Sequence, residues 1–328
     1  MFVQNNSACP VRLARAHVSD ALHVAAVTLR AEYRISESGL VPWEGPRTPL
    51  DTDPPKSVAE EPLWEGTSVT AAGSVLGRLQ APAVARVDLH VGIETRTLLV
   101  FGERRWLRNA GKLARGVPAP FEEVPLSWSL AFGGSYELAP GLDPVSRRPH
   151  PGGRVPHPLN PGGMGFYKDE RAAEGQPLPA IEWREGGITT WSDQPRPAGL
   201  APCPDLVGLR APTAPPVESG DPEWHLRTVL RSLHHAPGEL VFADLPPGTP
   251  IRLAGVGASP VSFEIPPSPV RVATVRGKST EAAGFRVRSV HVSRGDGAVL
   301  VDYAHAFELP VGGAPSWIRV EPRETKLH

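Results

Sequence analysis

Cysteine is scarce in this sequence, and long apolar runs are missing. Only two cysteines occur, Cys9 and Cys203, far apart and each beside a proline. They supply neither a disulfide framework nor a CxxC metal pair. No apolar stretch approaches the ~18 residues of a transmembrane helix, and the segment Met1 to Ser7 has no signal-peptide pattern. We therefore expect a soluble, cytoplasmic protein that does not enter a membrane.

An excess of either charge is also missing. The net charge is −1 and the pI is near 6.8, so the chain lacks the broad basic field of sequence-independent nucleic-acid binding. We expect no nucleic-acid partner. One local basic segment stands out, and its pattern predicts a solvated loop: Arg104, Arg105, Arg108, Lys112 and Arg115.

Proline and glycine, by contrast, are abundant. The 328 residues include 39 Pro and 33 Gly, while 40% are hydrophobic, so the chain has enough apolar material for an ordered core. Because proline interrupts helices and central strands, few long helices are expected. The sequence predicts a mainly β fold with antiparallel, sandwich-like sheets, long Pro/Gly-rich loops and one short helix, in a single compact unit of residues 1–328.

Hydrophobic patterning locates the predicted strands in the first half of the chain. Residues 21–34 are typical of a strand buried on both faces. Alternation over 84–94 places Val87, Leu89, Val91 and Ile93 on one face, and 96–101 completes a hairpin. Further strands are predicted at 126–132, 179–186 and 186–191.

The C-terminal part is predicted to be a run of short strands after one helix. Asp221-Pro222 is typical of a helix start, and Pro237-Gly238 ends the helix. The apolar residues between them recur at helical spacing, namely Leu226, Val229, Leu230 and Leu233. The strands that follow are predicted at 248–256, 260–266, 269–277, 285–293 and 298–309. The strands of residues 271–328 are expected to pack on the rest of the unit.

Motifs of catalysis, cofactor binding and metal binding are weak. Gly277-Lys278-Ser279 lacks the upstream glycine of a P-loop, and Ser135 lacks the flanking glycines of a nucleophile elbow. His225, His234 and His235 do not have metal-ligand spacing. The carboxylate pairs Glu182 with Glu185 and Asp143 with Glu137 have no distinguishing context. We expect no catalytic residue, cofactor or metal.

The segment His157 to Phe166, HPLNPGGMGF, concentrates three glycines. A phosphate-binding loop would need a strand before it and a helix after it, and neither pattern is present. Gly162, Gly163 and Gly165 are instead predicted to permit close chain approach, with Phe166 packed nearby. Internal scaffold and partner-binding surface both remain open for this loop. The same holds for Trp128, which is either a core residue or an interface anchor.

Six stretches occur together in an order that resembles a known bacterial family. They are VFGERRW (100–106), PLSWSLAFGGSYE (125–137), NPGGMGF (160–166), LPAIEW (178–183), PAGLAP (197–202) and HAPGEL (235–240). Over roughly residues 20–270 the chain resembles the type VI secretion adaptor family known as domain of unknown function 2169, DUF2169. The combination of FGG with NPxGxGF is the specific part of the resemblance.

The resemblance implies a binding protein and not an enzyme. It implies an adaptor or chaperone that binds an effector toxin, a PAAR-type or VgrG-type spike protein, or both, and assists loading onto the secretion spike. The motif residues then become candidates for partner binding: Trp106, Trp128, Phe132, Gly133, Gly134, Asn160, Pro161, Gly163, Gly165 and Phe166. A β-rich hydrolase and a carbohydrate-active or glycan-binding protein are the alternatives.

Overall fold

A computed structural model describes nine ranges of the chain. They are residues 2–19, 22–44, 64–77, 83–142, 149–150, 152–203, 234–276, 279–310 and 317–323. Most of the predicted helix at 221–237 lies outside them, as do His225, Asp143 and the pair Gly277-Lys278.

β-Strands dominate the described residues. The strands of the first half are β1 (Phe2–Asn5), β2 (Val11–Ser19), β3 (Leu22–Ser36), β4 (Gly39–Pro42), β5 (Thr67–Ala72), β6 (Ser74–Leu76), β7 (Val84–Val91), β8 (Glu94–Phe101), β9 (Trp106–Asn109), β10 (Lys112–Arg115), β11 (Glu123–Pro125), β12 (Phe132–Gly133) and β13 (Ser135–Leu138). Those of the second half are β14 (Gly141–Leu142), β15 (Pro149–His150), β16 (Gly153–Pro156), β17 (Met164–Gly165), β18 (Ile181–Trp183), β19 (Val241–Phe242), β20 (Pro250–Ala254), β21 (Val261–Glu264), β22 (Val270–Arg276), β23 (Ser279–Ala283), β24 (Arg286–Ser293), β25 (Ala298–Pro310) and β26 (Trp317–Pro322).

Three larger sheets organise these strands. A seven-stranded sheet has the order β19-β5-β24-β25-β3-β2, with β4 on β3. A five-stranded sheet has the order β18-β8-β7-β20-β21, and a four-stranded sheet the order β1-β26-β22-β23. Within these sheets, described neighbours are antiparallel except the parallel pairs β1 with β26 and β5 with β24. The predicted mainly β, antiparallel architecture is confirmed.

The inner faces of the three sheets share one hydrophobic core. In strands such as β7 and β20, alternate residues are buried, as the two-residue period of a strand requires. A single cluster includes Leu29 and Tyr303 of the seven-stranded sheet, Leu89 and Ile251 of the five-stranded sheet, and Val272 and Ile318 of the four-stranded sheet. Burial of these apolar surfaces supplies the main driving force for folding.

The predicted hairpin at 84–101 is confirmed, with one correction. β7 and β8 pair antiparallel, and Val87, Leu89 and Val91 are buried. Ile93 was predicted on the same face, but its exposed fraction is 103%. The chain turns at Gly92, where φ is +57°, so Ile93 has already left the strand.

The strand predicted at 126–132 is wrong over most of its length. Residues Trp128–Leu130 form a 3₁₀ turn, and the Ser127 side chain accepts a hydrogen bond from the backbone N–H of Ser129. Such a side chain competes with sheet pairing for the backbone donors. Strand geometry resumes only at Phe132.

The other local predictions have mixed outcomes. Strand β18 confirms the prediction at 179–186, whereas residues 186–191 form no strand. The strands predicted after residue 248 are confirmed as β20, β21, β22, β24 and β25. The α-helix of the described residues, α1, is Glu170–Ala173, and the Asp169 carboxylate caps it by accepting from the N–H of Ala172 at 2.8 Å.

Leu89 and Ile93 provide a matched test of this hairpin. Replacement of the fully buried Leu89 by alanine is expected to lower the free energy of unfolding by about 2–5 kcal/mol, because it leaves a cavity in the core. Replacement of Ile93 by alanine is expected to change it by less than about 0.5 kcal/mol. Urea unfolding followed by circular dichroism measures both, and similar losses for the two variants would contradict the register.

Candidate functional site

The two glycine-rich motifs lie side by side. β12 and β17 form a short parallel pair in which Phe132 aligns with Met164 and Gly133 with Gly165. Phe166 donates its backbone N–H to the carbonyl oxygen of Gly133 at 2.9 Å. The FGG and NPGGMGF segments therefore form one structural unit.

The buried side chain of Asn160 ties this unit together. Its Nδ2 donates to the carbonyl oxygens of Trp128 at 2.8 Å and Phe132 at 3.1 Å. The backbone carbonyl oxygen of Asn160 accepts the backbone N–H of Gly134 at 2.8 Å. Because Asn160 has no exposed surface, the loss of these bonds would leave buried polar groups unpaired, which is costly. Asn160 therefore acts inside the motif and not at its surface.

His157 holds the backbone of the same loop by hydrogen bonds. Its Nδ1 accepts the backbone N–H groups of Leu159 at 3.3 Å and Asn160 at 3.2 Å. Burial lowers the pKa of His157, which favours the neutral ring that such acceptance requires. The ring also stands edge-on to those of Phe132 and Phe166, with centroids 5.1 Å away in each case.

Close approach of the chain explains two of the motif glycines. A Cβ on Gly133, whose φ is +146°, would lie 2.1 Å from the carbonyl oxygen of Asn160. A Cβ on Gly163 would lie 2.4 Å from Nδ2 of the same asparagine. A Cβ on Gly162 would meet nothing within 4 Å, and Pro161 is exposed beside it. The glycines thus differ in role although they are adjacent in sequence.

A cavity of about 240 Å³ opens beside this frame. Five aromatic side chains line it, namely Phe132, Tyr136, Phe166, Tyr167 and Trp191. The rest of the lining is Gly165, Lys168, Ser192, Asp193 and Gln194. We call this cavity the aromatic pocket. Three of the predicted motif residues, Phe132, Gly165 and Phe166, belong to it.

Ring contacts fix the aromatic walls. Phe166 lies between Phe132, with centroids 6.5 Å apart and the rings edge-on, and Tyr136, with centroids 5.2 Å apart. The Tyr167 hydroxyl donates to the carbonyl oxygen of Pro177 at 2.6 Å, and burial raises the pKa of Tyr167 to about 12. The phenol therefore stays neutral and anchored at physiological pH.

A short loop carrying Trp191 forms the opposite wall. The Asp193 carboxylate accepts from the backbone N–H and the hydroxyl of Thr189, each at 2.7 Å. It also accepts from the N–H of Thr190 at 2.8 Å and from its hydroxyl at 2.7 Å. These four bonds hold the pKa of Asp193 well below its usual range. The ionised Asp193 carboxylate thus holds the shape of the loop and satisfies these N–H and O–H donors.

A small second core supports the pocket. It contains Trp106, Phe132, Ala173, Leu178 and Ile188, with Phe166, Tyr167 and Trp191 packed against it. Trp106 is only 2% exposed, so this predicted motif residue lies beneath the pocket. Trp128 is half-buried and donates its Nε1–H to the carbonyl oxygen of Pro202 at 3.1 Å.

An ion pair is buried next to this core, and it corrects the prediction of a solvated side chain for Arg104. The other basic residues of that segment are exposed, namely Arg105, Arg108, Lys112 and Arg115. Arg104 is 4% exposed and Glu182 is 5% exposed. Arg104 donates to Glu182 Oε1 and, at 2.9 Å, to the carbonyl oxygen of Pro179. Burial raises the pKa of Glu182, and the charge of Arg104 opposes that rise. Glu182 Oε2 also accepts the N–H of Ile188 at 3.2 Å, so the pair holds the start of the Trp191 loop.

The alternative catalytic candidates are not brought together within the described residues. Glu182 is bound by Arg104, whereas Glu185 and Glu137 are exposed. The Ser135 hydroxyl accepts from Nε of Arg154 at 2.6 Å. In the part of the chain that the structure describes, no group of three or more His, Cys, Asp or Glu side chains is placed to hold a metal ion.

Several pocket residues were missed at the level of sequence. Tyr136 lies within the stretch PLSWSLAFGGSYE and Tyr167 directly follows NPGGMGF, and this proximity to the two motifs was the available signal. The run Thr190-Trp191-Ser192-Asp193 has the hydroxyl and carboxylate spacing of a local hydrogen-bonded turn. That spacing was the signal for the loop that presents Trp191.

Comparison with known proteins gives one result. Residues 24–303 match a family described as "Uncharacterized protein conserved in bacteria (DUF2169)". No curated protein and no solved structure matches the chain. Among the helices of the described ranges, none has the length and apolar character needed to cross a bilayer.

Gly163 and Gly162 test the close approach inside the motif. Gly163→Ala is expected to lower the free energy of unfolding by about 1–3 kcal/mol, because the new methyl group would overlap Asn160. Gly162→Ala is expected to leave it unchanged or to raise it by up to about 1 kcal/mol, since an alanine there meets nothing and restricts the unfolded chain. Thermal or urea unfolding measures the free energy of unfolding of both variants. Equal changes in the two variants would contradict a framework role for Gly163.

The buried ion pair gives a second test. Glu182→Ala is expected to lower the free energy of unfolding by about 3–5 kcal/mol, because it leaves the Arg104 guanidinium buried without its counter-ion. The exposed pair Arg286 with Asp244 is the control, and Asp244→Ala is expected to cost less than about 1 kcal/mol. Urea unfolding of the two variants measures both effects. A loss below 1 kcal/mol for Glu182→Ala would show that Arg104 reaches solvent.

Proposed function

The chain belongs to the DUF2169 family, and from that premise we propose that it is an adaptor or chaperone of type VI secretion. In this role it binds an effector toxin, a PAAR-type or VgrG-type spike protein, or both, and assists loading onto the secretion spike in the cytoplasm. One observation carries the proposal in this molecule: the aromatic pocket, which is built on the FGG and NPGGMGF segments.

The size and chemistry of the pocket favour protein binding. Its volume of about 240 Å³ lies below the ~300–1,000 Å³ of most small-molecule sites. Tyrosine and tryptophan, which line it, are the residues most enriched in interface hot spots. Half-buried rings with polar neighbours also match the make-up of an interface core and rim.

Rigidity of the frame is a second support. Asn160, His157 and the Asp193 loop fix the walls before any partner arrives. A preformed site loses less conformational entropy on binding than a flexible one, so more of the contact energy contributes to affinity. An adaptor that must hold a cargo through spike assembly benefits from such a surface.

Glycan binding is the second candidate, and the same pocket motivates it. Trp191 lies next to Ser192 and Gln194, and an aromatic face with neighbouring hydrogen-bonding groups is also suited to one sugar ring. A hydrolase would need two carboxylates across the site, whereas the pocket lining includes the carboxylate of Asp193 alone. A binding module is therefore the better alternative to the adaptor.

Affinity capture of the tagged protein from its own host tests the adaptor role. The comparison includes Ser192→Trp, which places a bulky side chain at the exposed rim of the pocket, and Ser259→Trp as a control at an exposed turn. We expect a spike-tip or toxin protein in near-equimolar amount with the wild type and the control, identified by mass spectrometry. Ser192→Trp is expected to reduce recovery at least tenfold, a loss of about 1.4 kcal/mol or more.

Two results would contradict the proposal. Recovery of the protein alone, under conditions that preserve weak complexes, would contradict the adaptor role. Binding of the wild type to a glycan array, abolished by Ser192→Trp and retained by Ser259→Trp, would favour the glycan-binding module.

A further inference from the structure

The aromatic pocket has the capacity of one large side chain. Its floor is Phe132, which is 3% exposed, and its walls are the half-buried rings of Phe166, Tyr136 and Trp191. A nucleotide or an oligosaccharide exceeds a cavity of about 240 Å³, which is smaller than ordinary small-molecule sites. Ring walls favour an aromatic guest, because edge-to-face contacts add to the burial of apolar area.

Lys168 is the basic side chain of the pocket lining. Its side chain is exposed, and it has no carboxylate partner within the 4 Å of an ion pair in the described ranges. A flexible ammonium group in this position offers three hydrogen-bond donors to a ligand.

The acidic groups near Lys168 are already engaged. Asp169 caps α1 through the N–H of Ala172. Glu170 and Glu174, on and just after that helix, are both bound by Arg108, at 3.2 Å and 3.0 Å. Asp193 accepts four hydrogen bonds from its own loop. These carboxylates keep their charge, but their oxygens already accept hydrogen bonds, so Lys168 is the charged side chain of the pocket lining whose donors are left for a partner.

We propose that the aromatic pocket binds one aromatic side chain of a partner polypeptide and that Lys168 contacts the carboxylate of an acidic residue next to it in the partner sequence. The recognised element is thus an acidic-aromatic pair within a chain segment. This inference deepens the proposed function and rests on it, since it states which sequence feature of the cargo the adaptor binds.

Three blocked dipeptides test the inference directly on the intact protein. Acetyl-Glu-Phe-amide carries the proposed pair, acetyl-Gln-Phe-amide is its neutral isostere, and acetyl-Gln-Phe with a free carboxyl group mimics a chain end. Their dissociation constants are measured by protein-observed NMR titration. We expect the Glu-Phe probe to bind roughly two- to fivefold more tightly than the Gln-Phe amide, the range for a solvent-exposed ion pair.

Two variants assign the effect to individual residues. Lys168→Gln is expected to abolish the preference for Glu-Phe and to leave the affinity for the neutral probe unchanged. Lys112→Gln removes another exposed lysine, on β10 and outside the pocket lining, and is expected to change nothing. Ser192→Trp is expected to weaken binding of all three probes, because it obstructs the pocket.

Each other outcome overturns the inference. Equal affinities for the Glu and Gln amides would remove the role of Lys168. If the free-carboxyl probe binds most tightly, the pocket binds a C-terminal carboxylate instead of an acidic side chain. Binding of N-acetylglucosamine without binding of any dipeptide would make it a sugar site.

Failure of this inference is separable from failure of the adaptor role. If host capture recovers a spike-tip or toxin protein equally well with Lys168→Gln and the wild type, the adaptor role stands and the acidic-aromatic recognition falls. If capture recovers nothing while the dipeptides are discriminated as expected, the adaptor role falls instead.

Discussion

A single buried amide, that of Asn160, is the interaction on which the described site depends. It bonds to carbonyl oxygens of the turn at Trp128 and of β12, while its backbone bonds to Gly134 and His157. An aspartate at this position would lose the donor pair, and an aliphatic residue would leave the carbonyl oxygens unpaired in the interior. Because Asn160 draws two distant segments together, Phe132 and Phe166 meet and the aromatic pocket forms between them.

The sheets were largely predictable from sequence because their signals are local. β7 and β24 show the alternation of a half-buried strand, and a two-residue pattern of this kind survives almost any tertiary context. Prediction failed where the backbone changed direction locally. Ser127 caps a 3₁₀ turn in a stretch with strand composition, and Ile93 leaves the strand at Gly92. Neither event alters hydrophobic periodicity, so periodicity could not reveal them.

The site was less predictable because its determinants are far apart in sequence. Arg104 stands in a basic cluster, and its counter-ion, Glu182, is 78 positions away, so composition alone suggested a solvated side chain. The motif glycines were correctly identified as unusual, yet only the fold distinguishes Gly163, where a Cβ would overlap Asn160, from Gly162, where a Cβ would meet nothing within 4 Å. Long-range pairing thus decides which members of a conspicuous motif are constrained.

The order of the four-stranded sheet has a consequence for biosynthesis. β1 occupies residues Phe2–Asn5 and lies parallel to β26, residues Trp317–Pro322. The longest strand pair, β3 with β25, likewise joins early and late parts of the chain. The ribosome must therefore synthesise the segments between these strands before either pair can close, and contacts of such high sequence separation form slowly. During translation the edges of β1 and β3 that pair with β26 and β25 are unpaired. Until those later strands emerge, the edges are open to non-native strand association.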